Sequence, residues 1–125
     1  MSNLREASVI SSILFLSSTS AWAFQASFKW CGGGSPIFSL EAVPKGTKTL
    51  SFRMDDLNFP AYNHGGGDLS YTGQKNISCG ALGTSNYRGP SPPQGPHTYR
   101  FTIRAFDASG QELARATSER QFPEN

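Results

Sequence analysis

The sequence predicts a single, mostly β domain that follows an export signal, and three observations support this fold class. The chain has 125 residues, the usual length of one domain. Only 16% of its residues are charged, whereas 13 glycines and 8 prolines indicate many turns. Its clearest segments alternate apolar and polar side chains, which is the period of a half-buried strand. The low charge disfavours helical bundles and coiled coils, and the 12% aromatic content disfavours disorder.

The first 23 residues have the features of a secretory signal peptide. Arg5 and the amino terminus form a weakly positive start, residues 9–16 form an apolar core, and Ala21-Trp22-Ala23 is a small-x-small cleavage site. A membrane anchor is the alternative, but the apolar run is much shorter than the ~20 residues that cross a bilayer. We therefore expect cleavage after Ala23, a domain over residues 24–125, and a periplasmic or secreted protein whose mature form does not span a membrane.

Two short strands and one longer strand are predicted in the first half of this domain. Residues 26–30 alternate apolar and polar side chains, and residues 37–40 form a short apolar segment after a Gly-rich break. Residues 49–55 alternate cleanly, which predicts a half-buried strand. Its buried face carries Leu50, Phe52 and Met54.

The strongest predicted strand is residues 98–107, in the second half of the chain. A weaker strand is predicted within residues 69–76, and residues 107–110 form a turn. Residues 111–118 fit a short helix or a strand, and their periodicity does not decide between the two. The buried face of the long strand carries Tyr99, Phe101, Ile103 and Ala105.

Cys31 and Cys79 both lie in the predicted mature domain and suggest one disulfide bond, because exported proteins meet an oxidising environment. Two free buried thiols are the alternative if the chain is not exported. Two cysteines without CxxC spacing and only two histidines offer few ligands for a metal. We expect no metal and no cofactor. The net charge of +2 is too small to predict a nucleic-acid partner.

Two irregular loops carry the residues whose side chains can bind a ligand or act in catalysis. Residues 58–67 and 86–97 are rich in Gly and Pro, and they contain both histidines of the chain, His64 and His97. An acid, Asp55, stands at the end of the strand before the first loop. Loops held on a rigid sheet are where binding residues usually lie.

The second loop resembles the signature of a known family, the phosphatidylethanolamine-binding proteins, also called Raf kinase inhibitor proteins. The matching run is Tyr87-x-Gly89-Pro90-x-Pro92-Pro93-x-x-x-His97-x-Tyr99. Asp55 with Pro60 and His64 is similar to the family's acidic strand end that a histidine follows. Residues 35–48 also resemble its early Ser-Pro and Val-Pro-x-Gly-Thr pattern, so that the resemblance spans about residues 35–107 in the correct order.

The resemblance implies a large antiparallel sheet packed with a smaller sheet, a few short helices, and a small pocket that binds an anion. By analogy with the family, the peptide bond before Pro60 is expected to be cis. We expect Asp56 to be a solvent-exposed neighbour of the pocket acid. Carried over residue by residue, the ligand-binding positions are Asp55, His64, Gly89, Pro90, Pro92, Pro93, His97 and Tyr99.

We expect a non-enzymatic, exported binding protein that holds a phosphate or a phospholipid head group and modulates a protein partner of unknown identity. Histidine N–H groups can donate to phosphate, and a carboxylate can fix the tautomer of a neighbouring imidazole. The alternative is a hydrolase that uses His64 or His97 as general base, oriented by Asp55. Ser91 is the loop serine that could serve as its nucleophile. An inhibitory role toward a protease or kinase rests on family analogy alone.

Overall fold

The computed structural model describes residues 23–124, which form seven β-strands and no helix. The mostly β class is confirmed, whereas the few short helices implied by the resemblance are not found in this part of the chain. The predicted signal peptide lies outside the described residues, apart from Ala23. The strands are β1 (Gln25–Lys29), β2 (Ile37–Glu41), β3 (Thr49–Asp56), β4 (Gly66–Ser70), β5 (Asn76–Ile77), β6 (His97–Phe106) and β7 (Glu112–Phe122).

The strands form two antiparallel sheets, a small one in the order β1-β2-β5 and a larger one in the order β4-β3-β6-β7. Aromatic rings join their inner faces. The ring of Phe38 in the small sheet lies 4.8 Å, centroid to centroid, from both Phe52 and Phe101 in the larger sheet. The predicted arrangement of a larger sheet packed with a smaller one is therefore confirmed.

The core consists of the alternate residues that the sequence predicts for the two central strands. Since successive side chains of a strand point to opposite faces, one face of each strand enters the core. The predicted inward residues of β3 and β6 are all buried: Leu50, Phe52, Met54, Tyr99, Phe101, Ile103 and Ala105.

The structure shows the conformation of one segment that the sequence left open, and it differs from the sequence prediction in another. Residues 111–118, for which helix and strand stayed open, belong to β7, which pairs with β6 along its length. Long-range pairing of this kind decides the conformation of a segment whose own pattern is ambiguous. Gly66 and Gly67, predicted as loop, open β4 and pair with Arg53 and Phe52 of β3.

A disulfide bond joins Cys31 and Cys79, which are 48 positions apart, as the sequence suggests. It links the segment after β1 to the segment after β5, and both of these strands lie in the small sheet. The Cys79 side is exposed. Within residues 23–124 there is no helix with the length and hydrophobicity needed to cross a membrane.

Candidate functional site

A cavity of about 540 Å³ opens at the end of the larger sheet where β3 ends and β6 begins. This volume lies in the range of small-molecule binding sites. Its walls come from the end of β3, the start of β6 and the two loops that the sequence singles out. The lining residues are Asp56, Asn58, Phe59, Tyr62, His64, Gly89, Ser91, Pro93, His97 and Tyr99.

A buried hydrogen bond joins His97 and Asp56 in the wall of this cavity. His97 Nδ1 lies 2.6 Å from Oδ2 of Asp56, a residue that is only 3% exposed. The other carboxylate oxygen, Oδ1, accepts from the backbone N–H groups of Asn58 at 2.9 Å and Phe59 at 3.2 Å. An ionised carboxylate can only accept, so the His97 Nδ1 atom carries the proton, and its Nε2 atom is left for another partner.

These hydrogen bonds keep Asp56 ionised. Burial by itself raises the pKa of this carboxyl group, because it disfavours the charged form. The hydrogen bond from His97 and those from the Asn58 and Phe59 amides act in the opposite direction and outweigh burial. The pKa of Asp56 is consequently below its ordinary value of 3.8, and the cavity wall contains a fixed negative charge.

His64 is held by main-chain atoms of the opposite loop. Its Nδ1 atom lies 2.7 Å from the carbonyl oxygen of Arg88, and its own carbonyl accepts from Arg88 N–H at 2.8 Å. A carbonyl only accepts, so Nδ1 donates here as well. The side chain of Arg88 is exposed, and its backbone is what orients the histidine ring.

The glycines after His64 allow two stretches of backbone to approach closely. A Cβ atom on Gly66 would lie 1.7 Å from the Phe52 carbonyl oxygen, and one on Gly65 would lie 1.8 Å from the Asn86 carbonyl oxygen. Gly65 also has a φ of +69°, which glycine adopts without steric cost. The glycine run therefore joins β3 to the second loop and fixes the position of His64.

Tyr99 brings a buried hydroxyl group to the same cavity. The residue is fully buried, and none of the described residues meets hydrogen-bond geometry with its hydroxyl oxygen, although the Asp56 carboxylate and the Ser91 backbone lie near it. Burial, together with the neighbouring Asp56 carboxylate, raises the pKa of Tyr99 to about 12. The hydroxyl group is therefore protonated at neutral pH. A buried donor without a partner is rare in proteins and often marks a binding site.

A sequence profile of the phosphatidylethanolamine-binding protein family matches residues 19–124. The chain belongs to this family. The fold is also similar to the crystal structure of a phosphatidylethanolamine-binding protein homologue from Chlamydia trachomatis, with a TM-score of 0.61 and 18% sequence identity. That alignment covers 82% of this chain and 99% of the chlamydial chain. A search of curated proteins gives no significant match.

Asp56 lines the cavity, whereas Asp55, the acid expected from the resemblance, does not. Asp55 lies outside the cavity, where its Oδ1 atom is 3.3 Å from Nε of Arg53 on the solvent-facing side of β3. Adjacent residues of a strand point to opposite faces, so a shift of one residue exchanges the two sides. Asp56, expected to be solvent-exposed, is the buried acid of the cavity. The alternation of Leu50, Phe52 and Met54 continues to Asp56 and could have identified it.

The proline-rich part of the family motif contributes unequally to the cavity. Gly89 and Pro93 line it, whereas Pro92 is not among its lining residues. Pro90 lines a neighbouring cavity beside Trp30 and Cys31, which Gly89 also borders. The peptide bond before Pro60 is not cis, and the cis bond within the described residues precedes Pro123.

Besides Asp56, the cavity wall includes three residues that the sequence does not indicate: Asn58, Phe59 and Tyr62. The signal for the last two was the presence of large aromatic side chains in a loop otherwise rich in Gly, Pro and Asn. In residues 23–124, no group of three or more His, Cys, Asp and Glu side chains is arranged to hold a metal ion.

Proposed function

We propose that this cavity binds a small anion, and that a phosphate group, free or in a phospholipid head group, is the ligand. The observation that carries the proposal is the Tyr99 hydroxyl group, which is protonated, buried and without a partner in the wall of the cavity. A ligand that accepts a hydrogen bond there would remove the cost of this unpaired donor. Membership of the phosphatidylethanolamine-binding protein family supports the same class of ligand.

Phosphate binding by the two histidines depends on their protonation state. Nδ1 of each ring donates to the protein, to Asp56 in one case and to Arg88 in the other. Nε2 can therefore donate to a phosphate oxygen only when the ring is an imidazolium. The ionised Asp56 compensates the charge of such a ring at His97. Binding of a phosphate oxygen at Nε2 should therefore be stronger in mildly acidic than in alkaline solution, because only the imidazolium form offers this donor.

We also propose that the protein acts outside the cytoplasm and modulates a partner rather than catalysing a reaction. The disulfide bond, whose Cys79 side is exposed, supports an oxidising compartment, because cytosolic reductants keep such thiols reduced. Mass spectrometry of the protein secreted by its own signal should give a chain that begins at Phe24 and lacks two hydrogens relative to the dithiol. A chain that keeps residues 1–23 would contradict the export proposal.

A hydrolytic role needs a nucleophile next to a base. Ser91 lines the cavity, and the bonded Nδ1 atoms leave Nε2 of each histidine free to act as a base. Among the described residues, however, no hydrogen bond joins Ser91 to either histidine ring. Turnover of p-nitrophenyl phosphate, compared between the wild type and Ser91→Ala, tests this alternative. Turnover by the wild type that the substitution abolishes would favour a hydrolase.

Isothermal titration calorimetry with inorganic phosphate and with O-phosphoethanolamine, at several pH values, tests the anion site. His97→Gln should weaken the binding of both ligands because it removes the charged Nε2 donor of the imidazolium, whereas Asp55→Asn should not, because Asp55 lies outside the cavity. Equal binding by wild type and His97→Gln, or no binding by the wild type, would refute the assignment.

A further inference from the structure

The last strand, β7, forms a long free edge of the larger sheet. It has 11 residues, whereas the three other strands at sheet edges, β1, β4 and β5, have 5, 5 and 2. Within residues 23–124, β7 pairs with β6 and with no strand on its other side. The strand contains no Pro, Gly or Lys, the residues that usually keep an edge from pairing. A long edge of this kind is a template for another strand.

The hydrogen bonds of Thr98 show which residues of β7 turn their backbone groups to the free edge. Thr98 N–H donates to Oδ1 of Asn58 and its carbonyl oxygen accepts from Leu57 N–H, so both groups point away from β7. Gln121, which lies opposite Thr98, therefore turns its own N–H and C=O outward. Its carbonyl oxygen accepts there from Nε1 of Trp30 at 2.7 Å, which covers this end of the edge.

The middle of the edge is open. By the same alternation, Arg115, Thr117 and Glu119 turn their N–H and C=O groups outward. No hydrogen bond to these groups is found within the described part of the chain. A groove of about 550 Å³ lies beside Arg115 and Thr117, between β7 and the start of β1, so β1 leaves this part of the edge accessible. The three side chains are also exposed.

The charges on this segment are complementary to those of a second copy of the chain. When two β7 strands pair antiparallel about a two-fold axis at Thr117, Arg115 of each copy lies opposite Glu119 of the other. Arg115 contacts Glu112 of its own chain through Nε and Nη2, which leaves Nη1 for a further acceptor. Arg100 contacts Glu119 at Oε2 alone, which leaves Oε1 as that acceptor. Opposite charges placed directly across a strand pair stabilise a sheet.

We propose that the protein forms a two-fold symmetric dimer through β7, which joins the larger sheets of two copies into one continuous antiparallel sheet. The outward N–H and C=O groups of Arg115, Thr117 and Glu119 are those that such a pair exchanges. Both copies use the same edge, so the assembly closes at two chains. His97 pairs with Phe122 at the far end of β7, so the two anion cavities lie at opposite ends of the joined sheet. The dimer therefore does not depend on the proposed anion site.

Sedimentation velocity of the purified protein, at concentrations up to about 1 mM so that weak association is detected, tests the proposal. The wild type should show a monomer–dimer equilibrium. Arg115→Glu and Glu119→Arg should each weaken dimerisation about tenfold or more, because both pairs across the dimer then carry like charges. An equimolar mixture of the two variants should restore the dimer, because each variant meets the opposite charge on the other. The matched control Arg53→Glu makes the same charge change on β3 and should leave dimerisation unchanged.

A backbone variant tests the strand pairing independently of charge. Thr117→Pro removes the outward N–H at the centre of the edge and should abolish the dimer. The variant should fold, because this N–H does not bond to β6 and proline is tolerated at such edge positions. Circular dichroism of every variant checks the fold, and the charge variants decide the question if Thr117→Pro does not fold.

Four results would overturn the proposal. They are a wild type that stays monomeric, charge variants that dimerise as well as the wild type, a mixture of these variants that does not associate, and a folded Thr117→Pro that still dimerises. Oligomers that grow beyond two chains with concentration would also overturn it, because a two-fold pair closes.

Discussion

The Nδ1 atom of His97, at the start of β6, lies 2.6 Å from Oδ2 of Asp56, at the end of β3. The two strands are adjacent and antiparallel, so the last residues of β3 lie beside the first residues of β6 at one end of the sheet. The carboxylate fixes both the ring orientation and the tautomer of the histidine. The chemistry of the cavity at this point is therefore set by strand pairing rather than by loop conformation.

The two neighbouring acids should differ sharply in their contribution to stability. Asp56→Asn should lower the free energy of unfolding by about 2 kcal/mol, because it disrupts a buried carboxylate that accepts three hydrogen bonds. Asp55→Asn should change it by less than about 0.5 kcal/mol, since its ion pair with Arg53 is largely exposed. Urea denaturation of both variants measures the two values. Similar losses in both would contradict the placement of Asp56 as the buried acid.

The stabilisation from Asp56 should disappear in acid. The pKa of Asp56 in the folded protein is lower than its ordinary value of 3.8, so its ionisation stabilises the fold above that pH. The stabilisation is lost as pH falls through the folded-state value. The difference in Tm between wild type and Asp56→Asn should be constant above about pH 5 and shrink below it. Thermal melts at a series of pH values measure this difference, and a difference that grows toward low pH would reverse the predicted sign.

Removing the Tyr99 hydroxyl group should affect binding but not folding. Tyr99→Phe should leave the free energy of unfolding unchanged or raise it by up to about 1 kcal/mol, because a buried group without a partner is removed. Its affinity for phosphate should fall about tenfold, since a hydrogen bond to a charged ligand is lost. Tyr87→Phe is the matched control. The Tyr87 hydroxyl contacts Met54 Sδ at 3.9 Å, and Tyr87 does not line the anion cavity. Calorimetry should show equal affinity for wild type and Tyr87→Phe, and an equal loss in both variants would contradict the specific role of Tyr99.

Adjacent glycines of β4 should respond differently to a methyl group. Gly66→Ala places Cβ 1.7 Å from the Phe52 carbonyl oxygen and should cost about 3 kcal/mol or more, because backbone must move. Gly67→Ala places Cβ 3.5 Å from its nearest neighbour, an ordinary contact, and should change stability by less than about 1 kcal/mol. Denaturant titration compares the two. A tolerated Gly66→Ala would show that β4 can separate from β3 at little cost.

Periodicity was sufficient for the strands that build the core. Residues 49–55 and 98–107 alternate cleanly, and the structure places β3 and β6 there with the predicted faces buried. β7 could not be predicted from its own pattern, because pairing with β6 determines its conformation. Gly66 and Gly67 were predicted as loop because glycine is a common turn residue, whereas here Gly66 permits close contact with β3.

The site was predicted less precisely than the sheet. The order of motifs located both histidines, Gly89, Pro93 and Tyr99 at the cavity. The motif order points to Asp55, whereas the alternation of β3 leads to Asp56. The position of Phe59 and Tyr62 in the cavity wall depends on the path of the first loop, and no local pattern encodes that path.

The partners of the two histidines differ in how substitutions can alter them. His97 is held by a side chain, so a single change at position 56 can remove or reposition its acceptor. His64 is held by the carbonyl oxygen of residue 88, which every amino acid carries. No substitution of the Arg88 side chain removes that acceptor. A substitution at position 56 can therefore change the hydrogen bond that holds His97. The hydrogen bond that holds His64 remains for as long as the two backbone segments stay paired.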